Sequence, residues 1–254
     1  MSEVADNDDI KTNYPVVAQS LMLAASPQLR NMATLGGNVL QRTRCAYFRD
    51  VSYTQCNKRN SGSGCAAIDG HNRLHAVLGV NNDCIASYPG DFAQAMIALD
   101  ARVILVGPEA PREIAFASLH REAGDPARET TLRPGELIQS SWVPAGDFRR
   151  SMYLKIRDRQ SYAFAISSAA VALTTDGDKI AKSRIALGGV AYRPWRAGGA
   201  EAILDGKVLT EERAREAANA AFAAAVTHEH NAFKVQLGKE TLVRALLETS
   251  RLEI

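Results

Sequence analysis

Four cysteines, Cys45, Cys56, Cys65 and Cys84, are the side chains of this 254-residue chain best equipped for metal or redox chemistry. Their spacing, C-x10-C-x8-C-x18-C, contains no close pair. A zinc ribbon or knuckle brings two thiolates to one metal edge through a short loop, and that arrangement is absent here. Thiolates also hold iron–sulfur clusters, and a cluster on widely separated cysteines can order a loop with little hydrophobic content. All four lie in the segment 41–87, which is rich in Asn, Gly, Ser and Arg and shows no clean helical or strand period. A stretch that long inside a compact domain needs something to organise it. Arg42, Arg44, Arg49, Lys58, Arg59 and Arg73 outnumber Asp50, Asp69 and Asp83 there, a balance that favours thiolates and an anionic cluster. Ordinary buried or free cysteines explain the same spacing equally well. His71 and His75 share the segment, but a loop histidine is more often a hydrogen-bonding or surface residue, so both stay outside the ligand set.

A second constellation is the glycine turn from Met32 to Val39, where Gly36 and Gly37 stand between Thr34 and Asn38. Adjacent glycines let backbone amides approach a pyrophosphate, and Thr and Asn add hydrogen bonds. Alone, the string reads equally as a plain turn, and no Rossmann dinucleotide fingerprint accompanies it. Taken singly, Asp91 reads as a helix cap, Leu137 with Ile138 as core, and Lys155 as a solvated lysine.

The elements that must position these residues alternate at first. The pattern predicts a short helix within Tyr14 to Ala25, stopped by Ser26-Pro27, another over Asp91 to Asp100, and a β-branched strand over Arg102 to Val106. An apolar run follows the Pro-Gly turn in Leu132 to Pro144, and Ala145-Gly146-Asp147 marks a domain boundary. Beyond it, Ser151–Ile156 and Ile180–Val190 read as strands, Phe164–Thr174 as strand or helix, and Glu211–Val226 and Leu237–Leu247 as helices. That order is α+β, with domains over 1–145 and 146–254. Composition, 46% hydrophobic and 23% charged with a net charge of +2, is globular and gives no reason to propose nucleic acid as partner. The acidic, polar start lacks a secretory signature, and no window approaches the roughly 18 uninterrupted apolar residues of a membrane span.

The string Arg30-Asn-Met-Ala-Thr-Leu-Gly-Gly-Asn-Val-Leu-Gln-Arg-Thr-Arg-Cys45 resembles the second flavin segment of the FAD-binding medium subunits of molybdenum hydroxylases, the xanthine dehydrogenase and carbon monoxide dehydrogenase type, running into a cysteine insertion. The likeness is strongest to the iron–sulfur-containing FAD subunits of periplasmic aldehyde oxidoreductases. It continues through Gly64-Cys-Ala-Ala-Ile-Asp-Gly-His-Asn-Arg73, Tyr88-Pro-Gly-Asp91, Pro134-Gly-Glu-Leu-Ile138, Tyr153-Leu-Lys-Ile-Arg-Asp-Arg159, Ala186-Leu-Gly-Gly-Val190 and Arg193-Pro-Trp-Arg196. The resemblance implies the second half of an FAD-binding domain of the vanillyl-alcohol-oxidase (PCMH) type, with a cluster insertion over 41–87, followed by a small α+β C-terminal domain. It implies FAD contacts from Thr34, Leu35, Gly36, Gly37, Asn38, Asp91, Ile138 and Lys155, with the Lys155 cation beside the isoalloxazine ring, where it would stabilise reduced flavin. It implies a [4Fe-4S] cluster on Cys45, Cys56, Cys65 and Cys84.

By the same resemblance, electrons leave a molybdenum centre on a large partner subunit, cross two [2Fe-2S] clusters on a small one, reach FAD here and pass to an external acceptor. The compartment is the cytoplasm, or the periplasm by co-export with a partner. Tyr162 stands where some NAD-using relatives carry an acidic residue, so nicotinamide is not the expected acceptor. Members of the family begin with a further subdomain bearing an Ala-Gly-Gly-Thr-like pyrophosphate loop, and the chain is expected to be truncated relative to them. The rival expectation is an assembly module of the same complex, held by zinc or a cluster, that has lost its flavin.

Overall fold

The computed structural model describes residues 1–253. The first half opens with five short helices, α1 (Ser2–Asp6), α2 (Asp8–Asn13), α3 (Pro15–Met22), α4 (Pro27–Met32) and α5 (Leu35–Val39). After α6 (Ala46–Arg49) and the irregular cysteine segment come α7 (Phe92–Ala98) and an antiparallel sheet of β1 (Arg102–Val106), β2 (Arg112–Ala115) and β3 (Leu137–Trp142), in the order β2-β1-β3. The second half holds β4 (Ser151–Ile156), β5 (Ser167–Asp176), β6 (Lys179–Gly188), β7 (Trp195–Arg196) and β8 (Lys207–Val208) in a five-stranded sheet, with α8 (Gly198–Leu204), α9 (Glu211–Ala221) and α10 (Phe233–Ser250).

Local chemistry sets several boundaries. Pro15 and Pro27 sit at helix starts, where the missing amide hydrogen costs no helical bond. Ser26 accepts from Leu29 N and Thr210 from Arg213 N, capping α4 and α9. The polar start, Met1 to Asn13, is helical: Asn7 caps α2 by accepting from Ile10 N, and the terminal amine donates to Ala33 O at 3.0 Å. Helix α10 starts four residues before the sequence pattern places it and runs three residues past it, to Ser250. Helix α9 ends at Ala221.

The segment that reads as strand or helix in sequence is β5, and its environment explains the ambiguity. Ala169, Val171 and Leu173 pack toward α8, α9 and α10, whereas Ala170 and Ala172 pack into the core of the first half. A strand buried on both faces is apolar throughout and loses the alternation that would identify it. Tyr153 and Ala186 join the same first core, beside Val16, Val17, Leu21 and the wholly buried helix α7. The hydrophobic core therefore crosses the boundary at 145–147, and the second sheet is the shared wall between the two halves.

Candidate functional site

The glycine string forms a short helix rather than an open turn. Thr34 is its N-cap: its hydroxyl accepts from Gly37 N at 3.0 Å, which places Gly36 and Gly37 in the first helical turn. Among the described residues the amides of Leu35 and Gly36 have no acceptor. Asn38 Oδ1 is buried without a partner, an unmet polar demand at the same turn. A Cβ added at Gly36 would stand 3.5 Å from Ile138 Cβ, so the fold brings Ile138 on β3 directly against the glycines. These features fit a pyrophosphate-bearing cofactor: two open amides, an unsatisfied Asn side chain and an apolar wall on a surface with no bulky side chain in the way.

Asp91 and Lys155 lie together, buried in the core. Lys155 Nζ donates to Asp91 Oδ2 at 2.7 Å and to Leu23 O at 3.0 Å, and the two side chains are 1% and 4% exposed. The Tyr153 hydroxyl donates to Asp91 Oδ1 at 2.8 Å and lies 2.9 Å from Ser168 Oγ. Burial pushes the Asp91 carboxyl above the usual carboxylate range, while Lys155 and Tyr153 pull it back. Lys155 is thus no solvated lysine, and Asp91 makes no side-chain cap bond to α7. Tyr153 and Leu23 were not singled out in the sequence. Tyr153 had a usable signal, because residues two apart on a strand share a face with Lys155. The Leu23 carbonyl had none.

In the cysteine segment all four thiols are free. Cys56 and Cys65 pair across an isolated antiparallel bridge. The neighbouring Cys84 thiol draws Cys65 down to about 6, and Cys84 in turn is held up. Cys45 is pushed up to about 11 by burial. Among the described residues, however, no three His, Cys, Asp or Glu side chains converge as a single metal ion requires. His75, set aside in the sequence, has Nε2 3.1 Å from Cys45 Sγ, and its Nδ1 is buried without a partner. Burial lowers it to about 4, so it faces the sulfur as neutral imidazole. A small apolar group of Cys84, Ala86, Ala123 and Tyr192, with Cys45 and Val80 against it, packs beside the sulfurs, and Val77 and Leu78 tie the end of the segment into the second core.

Residues 1–146 match the family described as the FAD binding domain in molybdopterin dehydrogenase, and residues 152–249 match the CO dehydrogenase flavoprotein C-terminal domain. The aldehyde oxidoreductase FAD-binding subunit PaoB of Escherichia coli is 43% identical over 249 residues, covering 97% of this chain and 75% of that protein. The chain belongs to the FAD-binding subunits of molybdenum hydroxylases. The carbon monoxide dehydrogenase medium chain of Afipia carboxidovorans is 26% identical over 204 residues, covering 80% of this subunit and 54% of that chain. In three dimensions the subunit superposes on reconstituted CO dehydrogenase from Oligotropha carboxidovorans with a TM-score of 0.72 at 22% identity, covering 99% of this chain and 73% of that one. Quinoline 2-oxidoreductase from Pseudomonas putida 86 gives 0.69 at 20% identity, covering 98% and 72%. Likeness at that identity shows the fold alone. The subunit is part of an oxidoreductase and carries an FAD-binding domain.

Proposed function

We propose that this subunit holds FAD and a [4Fe-4S] cluster and passes electrons onward within a molybdenum-dependent aldehyde or xanthine oxidoreductase, with substrate oxidation on a large partner subunit. The observation that carries the flavin part is the turn at Thr34 to Asn38, with its two open amides and the unsatisfied Asn38 Oδ1 set against Ile138. Bound FAD supplies a two-electron carrier that can also release electrons singly. The open amides of Leu35 and Gly36, with Asn38 and Ile138, would hold the cofactor, and the Asp91–Lys155 pair keeps two opposite charges buried in the same half of the chain.

The cluster part rests on the sulfurs. A cubane takes one cysteine at each of four separate corners, so it does not ask the thiolates to converge on one point as zinc does. The His75 contact to Cys45 and the surplus of basic side chains in the segment are surroundings that suit such a cluster. The full assembly includes a large molybdenum subunit and a small subunit with two [2Fe-2S] clusters, in the cytoplasm or co-exported to the periplasm.

The test is anaerobic purification of the full chain with iron and flavin quantified. Broad visible absorption that bleaches with dithionite, about four irons per chain, and loss of most of that iron in Cys56→Ser are expected. Limited proteolysis should then cut residues 42–87 of the variant first, since the metal supplies part of the order of this irregular stretch. A colourless wild type holding zinc, or equal resistance of that segment in both proteins, would refute the cluster assignment.

A further inference from the structure

A cavity of about 400 Å³ lies between the start of the cysteine segment and the loop after β2, away from the Asp91–Lys155 pair. Its size falls in the range of small-molecule sites. Five basic side chains line it, Arg42, Lys58, Arg121, Arg128 and Arg193, against one carboxylate, Glu129. That carboxylate is fully used: Lys58 Nζ donates to Oε1 at 2.7 Å, and Arg42 Nε donates to Oε2. Lys58 is 7% exposed and also donates to the Tyr192 hydroxyl at 2.9 Å, so the base of the cavity is rigid and preorganised. Arg193 pairs with the exposed Glu122. Among the described residues the guanidinium groups of Arg121 and Arg128 have neither an ion pair nor a hydrogen bond, and both line the opening.

Two further features define what the cavity takes. The wall includes Leu40, Pro89, Leu132 and the Tyr88 ring, an apolar surface suited to a hydrocarbon or aromatic body. His120 is 7% exposed and stacks edge-on to Tyr88 with ring centroids 4.7 Å apart. Its Nε2 lies 3.1 Å from Val39 O, and that carbonyl can only accept, so Nε2 carries the proton. Nδ1 is then a buried acceptor, and it has no donor.

We propose that this cavity is a binding site for a small organic anion, with a carboxylate or phosphate held by Arg121 and Arg128 and an apolar body against Leu40, Pro89 and Leu132. Its walls join the two candidate cofactor regions, since Val39 follows the flavin turn and Lys58 is two residues from Cys56. The site is therefore placed for an anionic ligand between these two regions. It stands independently of the flavin and cluster assignments.

The full chain is titrated calorimetrically at low salt with 3-hydroxybenzoate, AMP and inorganic phosphate. Saturable one-site binding of 3-hydroxybenzoate or AMP, tighter than phosphate alone and weakened by salt, is expected, and the tighter of the two names the source of the anion. Arg121→Gln combined with Arg128→Gln raises the dissociation constant tenfold or more, because both charge-assisted contacts to the anionic group are lost. Its thermal midpoint and flavin content stay at wild-type values, since neither side chain has a partner in the fold. No saturation by any probe, equal affinity in the double variant, or competitive displacement of the probe by FAD would each overturn the assignment.

Discussion

Replacing Lys155 by Met leaves Asp91 ionised, 3% exposed and held only by the Tyr153 hydroxyl. Removing one partner of a buried ion pair costs roughly 3–5 kcal/mol, because the survivor keeps its desolvation penalty and loses the compensating charge. The Leu23 carbonyl loses its lysine donor as well, although Arg157 Nη1 lies 3.4 Å from it. A loss of about 4 kcal/mol shifts the folding equilibrium roughly a thousandfold, a large share of the roughly 5–15 kcal/mol a domain has. The pH dependence has a definite sign. Burial already raises Asp91 above its unfolded value of 3.8, and without the ammonium it rises further. The unfolded chain then binds fewer protons than the folded one between those two values, so the variant loses stability as pH rises through that window. Urea unfolding of wild type, Lys155→Met, Asp91→Asn and the double variant at about pH 5 and about pH 8 measures both effects. The double variant should recover at least half of the single-variant loss. A Lys155→Met midpoint within about 1 kcal/mol of wild type at both pH values would refute the claim that this pair is an interdependent buried unit.

Thr34→Ala removes the cap on α5 and returns the Gly37 amide to solvent, at a cost of about 1 kcal/mol and hence about a fivefold weaker FAD affinity if the helical turn is the phosphate site. Fluorescence titration with FAD checks it, and unchanged affinity would separate the turn from the cofactor. Lys234 is fully buried, with Nζ donating to Gly189 O at 2.6 Å, His75 O at 3.0 Å and Leu74 O at 3.3 Å, and burial draws it down to about 7. The unfolded lysine keeps its proton to the model-compound value of 10.5, so wild-type stability should rise between about pH 7 and about pH 10. Lys234→Met should abolish that slope, as read from thermal midpoints across the range.

Local chemistry was written in the amino-acid order. The break at Ser26-Pro27 and the strands Arg102–Val106 and Ser151–Ile156 follow from nearest-neighbour rules and form where the pattern places them, although Ser26 and Pro27 also start a helix, α4, that the pattern did not announce. Neither the cysteine spacing nor the Thr-Leu-Gly-Gly-Asn string named the family alone; the shared order of these with the strings Tyr88–Asp91, Pro134–Ile138 and Tyr153–Arg159 carried the resemblance. What the amino-acid order left open was anything that depends on what packs on the far side of an element. Whether Phe164–Thr174 is strand or helix was undecidable until β5 was seen buried on both faces. Lys155 and Asp91, 64 residues apart, become an ion pair only when α3, α7, β4 and β5 close around them. His75 meets Cys45 across 30 residues of irregular chain, with no periodicity to announce the contact. Caps, turns and short strands are settled by a few adjacent residues, whereas burial is a property of the whole packed chain. It is burial that converted an ordinary lysine and aspartate into a charged pair, and a loop histidine into a neighbour of sulfur.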